Sequence, residues 1–67
     1  MNDTIHNVVR EMRAVAGDTQ EDLALAVGVS RQTIIAIERG NYVPSLMLAL
    51  KIAKRYRRRV EEIFTLA

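Results

Sequence analysis

Cysteine and tryptophan are absent from this 67-residue chain, and histidine, proline and phenylalanine each occur once. Without cysteine there is no disulfide framework and no thiolate zinc site to support a small core. The single histidine, His6, has only Asp3 as an acidic neighbour at helical spacing and reads as an isolated surface residue. No metal-ligand spacing and no glycine-rich phosphate loop is present, so no metal and no cofactor is expected. The only serines, Ser30 and Ser45, both stand at helix starts, where a hydroxyl caps the backbone. Glu21-Asp22 and Glu61-Glu62 are adjacent pairs whose side chains diverge on a helix. Catalysis has little to work with, and the chain is not expected to be an enzyme.

Other absences narrow the partners. The aromatics are Tyr42, Tyr56 and Phe64, 4% of the chain, too few for the stacking platform that single-stranded nucleic acid needs. The longest uncharged stretch, Gly40 to Leu50, contains Asn41, Pro44 and Ser45 and falls far short of the ~18–20 apolar residues of a membrane span. The opening Met1-Asn2-Asp3-Thr4 lacks the basic-then-apolar order of a secretory signal. A cytoplasmic, single-domain protein is expected over residues 1–67. No small-molecule effector site is readable.

Hydrophobic residues make up 49% of the chain, enough for one core with little margin. Formal net charge is +2, but its layout is uneven. Residues 1–30 carry two arginines against five carboxylates, whereas residues 31–59 carry eight cations against Glu38 alone. Such a basic half suits a polyanionic partner or forms a solvated basic face.

Periodicity predicts helices nearly throughout. Ile5, Val8, Val9, Met12 and Ala16 share one face of a first helix, capped by Asp3 or Thr4 and ended by Gly17. Thr19 and Asp22 form a capping box for a second helix, with Leu23, Ala24 and Val27 inward and Gly28 as its stop. Ser30 caps a third helix from about Arg31 to Arg39, and Ser45 a fourth that runs to about Tyr56. Val60, Ile63 and Phe64 form the face of a short fifth. Helices separated only by Gly28-Val29-Ser30 make a helix-turn-helix unit over about residues 19–39, with Val29 plugging the corner. The fold class expected is all-α, a compact five-helix bundle.

At 100° per residue, Ile34 and Ile37 define the buried side of the third helix. Gln32, Ile35, Ala36 and Arg39 then face outward, with Arg31 at the margin. An outward Ile35 could press against a thymine methyl on a DNA reader. The fourth helix, with Leu46, Ala49, Leu50, Ile52, Ala53 and Tyr56, is apolar almost all round and reads as central and buried. Met47 lies in its polar strip, as an isolated exposed side chain or as part of a partner surface.

Three runs together resemble the Cro/Xre-type, lambda-repressor-like helix-turn-helix regulators: Thr19-Gln20-Glu21-Asp22-Leu23-Ala24, Gly28-Val29-Ser30-Arg31-Gln32-Thr33-Ile34 and Ile37-Glu38-Arg39-Gly40. The continuation through Tyr42, Pro44-Ser45-Leu46, Leu48 to Ala53 and Glu61-Glu62-Ile63-Phe64 is similar to the short single-domain members. The resemblance covers about Ile5 to Phe64. It implies a dimer whose third helix enters the DNA major groove. By position, Arg31, Gln32 and Thr33 match base-reading residues, and Ala36 another base-facing one. Gln20 matches a phosphate contact, and Ser30, Arg39, Asn41 and Tyr42 match positions beside the sugar-phosphate backbone. Arg13 and Glu38 match an ion pair tying the first helix to the third.

Several positions depart from the pattern. Asp18 replaces a usually apolar residue, which predicts a looser corner between the first two helices, and Arg57 stands where a glycine often stops the fourth. The run Arg57-Arg58-Arg59 touches phosphate, lines a dimer surface or is solvated. Taken together, a homodimer reading a near-palindromic double-stranded DNA operator, with repression the simpler mechanism, is expected. Its dimer contact is expected in residues 60–67, through Val60, Ile63, Phe64 and Leu66. The rival is an antitoxin-like protein-interaction module on the same fold, favoured by outward Ile35 and Met47.

Overall fold

The computed structural model describes residues 3–67. Five helices form: α1 (Val9–Ala16), α2 (Gln20–Val27), α3 (Arg31–Glu38), α4 (Leu46–Arg55) and α5 (Val60–Ile63). They are not the whole architecture, because two short strands, β1 (Ile5–Asn7) and β2 (Phe64–Leu66), join the chain ends. The strands run antiparallel with Ile5 opposite Leu66, His6 opposite Thr65 and Asn7 opposite Phe64. The strictly all-α expectation is therefore corrected, and so is the start of the first helix.

Asn7 supplies the physical reason for that later start. Its Oδ1 accepts the Val9 N–H, the first N–H of the helix, at 3.1 Å, while its Nδ2 donates to the Ile37 carbonyl at 3.0 Å. Residues Ile5 and Asn7 are half-buried around an exposed His6, a period of two rather than 3.6. Of the apolar face expected for one long helix, Val9 is buried and Met12 packs against the core, whereas Val8 and Ala16 are exposed.

The other helix starts form as their caps dictate. Thr19 and Asp22 exchange reciprocal bonds of 2.9 and 3.0 Å at the head of α2. Ser30 accepts the Thr33 N–H at 3.2 Å, and Ser45 accepts the Leu48 N–H at 3.1 Å. Gly28 takes φ 78° in the turn joining α2 to α3, a conformation that a side chain would strain.

Leu23, Ile34, Ile37, Ile52, Ile63 and Val9 form the fully buried centre. Val29 packs against it at the corner, as its place in the turn suggests. Helix α4 is one-sided rather than central: Leu48, Ala49, Ile52 and Ala53 are buried, but Leu46, Met47 and Leu50 are 71%, 67% and 50% exposed. Ile63 is only 1% exposed and belongs to the core of its own chain. It therefore lies beneath any surface formed by the C-terminal segment.

The corner before α2 is tied, not loose. Asp18 accepts two bonds of 2.8 Å from the Arg55 guanidinium and one of 3.0 Å from the Tyr56 hydroxyl. Chiefly through the Arg55 bonds, its carboxyl is held below the usual carboxylate range. Burial, then the bond to Asp18, pushes the Tyr56 hydroxyl up. A depressed carboxylate stabilises the fold above its unfolded pKa of about 4, and this contribution is lost as pH falls through the lower folded value. Urea titrations of wild type and Asp18→Asn from pH 7 downward should show part of the acid loss in the wild type alone. Parallel pH curves would contradict that role.

At the end of α4, Arg57 adopts φ 55°, the left-handed stop that glycine usually fills. The bonds Arg57 N–H to Lys54 O (3.1 Å) and Arg58 N–H to Ala53 O (3.0 Å) complete a Schellman motif. A left-handed arginine costs roughly 1–2 kcal/mol, partly offset by the greater unfolded-state freedom of glycine, about 0.4–1 kcal/mol. Arg57→Gly should thus raise stability by up to about 1.6 kcal/mol. A lower urea midpoint for that variant would contradict the strain.

Candidate nucleic-acid interface

Packing of Ile34 and Ile37 into the core fixes which side of α3 faces away from the protein. Two concavities flank the exposed side. The first is a cleft between α1, the start of α2 and α3, lined by Arg10, Arg13, Gln20, Arg31, Ile35, Glu38 and Arg39. The second is a shallow depression on the opposite flank, lined by Gln32, Thr33, Ala36 and Tyr42. Eight of the ten residues proposed from sequence for DNA contact therefore line one concavity or the other. Ser30 and Asn41 line neither. The Ser30 hydroxyl lies 3.1 Å from that of Thr33 in addition to its cap bond, and the Asn41 N–H donates to Ala36 O at 2.9 Å.

The cleft has a built floor. Arg13 donates from Nε to Glu38 Oε2 at 2.6 Å and from Nη2 to Oε1 at 3.1 Å, a bidentate pair. Both side chains are largely buried, at 14% and 6% exposure, and the bonds to Glu38 raise the Arg13 pKa. Gln20 extends the network: its Nε2 donates to Glu38 Oε1 at 3.1 Å, and its Oε1 accepts from Arg31 Nε at 3.4 Å. The amide thus has a fixed orientation, with its nitrogen on a carboxylate and its oxygen on a guanidinium. It holds Arg31 by Nε and leaves the terminal Nη pair outside that bond.

Charge in the cleft is strongly one-sided. Four guanidinium groups face one carboxylate, and Arg13 already engages that carboxylate. Among the described residues, no carboxylate lies within 4.0 Å of Arg10, Arg31 or Arg39. Arg10 is the residue that sequence reasoning missed. It stands three positions before Arg13, so the same helical face that sends Arg13 to Glu38 also brings Arg10 beside α3.

Ile35 is half-buried and lines the cationic cleft beside Arg31 and Arg39. Residues 31, 35 and 39 line the concavity toward α1, whereas Ala36 and Tyr42 line the one on the other flank.

A short helix held by a second helix across a glycine turn, with a cationic outer face, defines a helix-turn-helix module. The chain matches the family model described as Helix-turn-helix over residues 9–63, from the start of α1 to the end of α5, and belongs to that family. It is 55% identical over 60 residues to the uncharacterized HTH-type transcriptional regulator YgzD of Bacillus subtilis, covering 90% of this chain and 91% of that one. An uncharacterized HTH-type transcriptional regulator of Methanocaldococcus jannaschii is 59% identical over 58 residues, covering 87% and 88%. Among solved structures, the restriction-modification controller protein C.AhdI of Aeromonas hydrophila superposes with a TM-score of 0.75 at 35% identity. That match covers 81% of this chain and 82% of the other. Among the described residues, no helix is long and apolar enough to cross a membrane.

Proposed function

We propose that this chain is a sequence-specific double-stranded DNA-binding regulator of transcription that acts as a homodimer with α3 in the major groove. The observation that carries this reading is the pairing of a net-positive cleft and a carbon-lined depression on the two flanks of one exposed helix. Arg10 and Arg39 hold phosphates, which gives affinity without sequence information. Arg31 offers its Nη fork to guanine O6 and N7, and Gln32 pairs with adenine, each worth ~1–3 kcal/mol of discrimination. Gln20 steadies Arg31 from behind while the N-terminus of α2 faces a phosphate.

A single α3 reads only a few base pairs, so a second copy supplies the remaining affinity. Exposed Leu50 and Leu66, with half-buried Val60 and Phe64, supply the apolar contact over a buried Ile63. Two-fold symmetry makes the operator near-palindromic with half-sites about one helical turn apart. Repression by occluding a promoter is the mechanism that needs the fewest parts. The chain is read as a binder and not as an enzyme, in the cytoplasm, without cofactor or effector.

A second reading, a protein-interaction module of antitoxin type, draws on Met47, which is 67% exposed beside Leu46. Ile35 gives it no support, because that side chain is half-buried in the cleft. Selection of bound sequences from random duplex DNA at two salt concentrations separates the two. The regulator reading expects a two-fold-symmetric motif and salt-sensitive affinity. Salt-sensitive binding without any motif would reduce the claim to a basic surface and shift the search to a protein partner.

A further inference from the structure

The depression between α3 and the loop after it has a lining unlike the rest of this face. It is lined by Gln32, Thr33, Ala36 and Tyr42, none of which bears a charge, and its surface is mostly apolar. Arg31 and Arg39 face the cleft on the other flank. Tyr42 remains 46% exposed, a large apolar surface held beside a small residue with no partner over it. Ala36 keeps the floor open, since any longer side chain at that position would fill it.

In the major groove the apolar group that projects from the base edges is the C5 methyl of thymine. We propose that the depression bounded by Gln32, Thr33, Ala36 and Tyr42 seats one pyrimidine 5-methyl group in each half-site. The seat discriminates thymine from cytosine by an apolar contact on the flank opposite the arginines. This inference rests on the DNA-binding reading above and adds to it the identity of one base. It assigns Tyr42, otherwise expected beside the backbone, a part in specificity. It also has a chemical corollary: 5-methylcytosine carries the same methyl, so the seat accepts it where it rejects cytosine.

The test uses the full chain and a selected duplex in which each thymine is replaced in turn, symmetrically in both half-sites, by deoxyuridine. Burial of one methyl group corresponds to about a fourfold change in affinity per half-site, hence roughly 15-fold for the symmetric pair. One symmetric pair of thymines should show this loss in the wild type. Cytosine at the same pair should bind more weakly still, and 5-methylcytosine should recover part of the loss relative to cytosine. In Tyr42→Ala the thymine-to-deoxyuridine ratio should fall toward one, whereas in Ile35→Ala it should be kept. Because Tyr42 is half exposed, its truncation leaves the core intact. If a symmetric motif is recovered but every thymine tolerates deoxyuridine within about twofold, the seat is refuted while the DNA reading stands. If no duplex is selected at all, both fall together.

Discussion

Glu38→Ala should remove most of the stability of this domain. The carboxylate is 6% exposed and accepts both bonds of the bidentate Arg13 pair, together with the Gln20 amide. Truncation leaves a guanidinium that is only 14% exposed without its counter-charge, a situation that typically costs about 3–5 kcal/mol. A domain of 67 residues has a total stability of roughly 3–10 kcal/mol, so the variant should be marginal or unfolded at 25 °C. Urea denaturation followed by circular dichroism reads this directly. Replacing both partners, Arg13→Met with Glu38→Leu, should recover much of the loss, because an apolar pair leaves no orphaned charge. A Glu38→Ala loss below about 1 kcal/mol would show that the pair is no more than a surface bridge.

The second large effect falls on binding and not on folding. Arg31 is exposed, and among the described residues its side-chain bond is the long one to Gln20 at 3.4 Å. Arg31→Ala should therefore leave the urea midpoint within about 0.5 kcal/mol of wild type. Its loss from both half-sites should weaken the operator complex roughly 30-fold or more, counting ~1–3 kcal/mol for each bidentate base contact. The weakening should be concentrated at one base-pair position per half-site. Arg10→Ala gives the contrast: affinity should fall nearly equally for all sequences, and the salt slope should decrease by about one phosphate contact. Arg31→Ala with an unchanged sequence preference would place Arg31 on the backbone.

Much of this arrangement was legible because it is local. Thr19, Ser30 and Ser45 each cap a helix whose first bonds lie three residues away, so chain order alone places them. The inward Ile34 and Ile37 follow from the helical period and fix the outer face of α3 without tertiary information. The resemblance carried the ion pair between Arg13 and Glu38, 25 positions apart, which no local pattern would have joined.

What was not legible depends on pairings across the chain. Ile5 to Asn7 satisfies a helical template, and only the return of Phe64 to Leu66 beside it makes a strand pair. Asp18 looked like a break in an apolar corner until Arg55, 37 positions on, supplied its partner. The wheel of α3 places Ile35 outward but cannot show α1 alongside, which brings Arg10 and Arg13 into the same cleft. For α4, the apolar circumference suggests burial on all sides, but among the described residues no element covers Leu46 and Leu50.

The central claim, that α3 reads bases from the major groove, is met most directly by guanine methylation interference on a selected duplex. Guanine N7 projects into the major groove, where the Arg31 fork is expected to meet it. The account predicts that N7 methylation of one guanine in each half-site blocks binding, and that Arg31→Ala binds with no penalty from the same methylation. Indifference to N7 methylation at every guanine, with binding abolished by a minor-groove ligand, would contradict it.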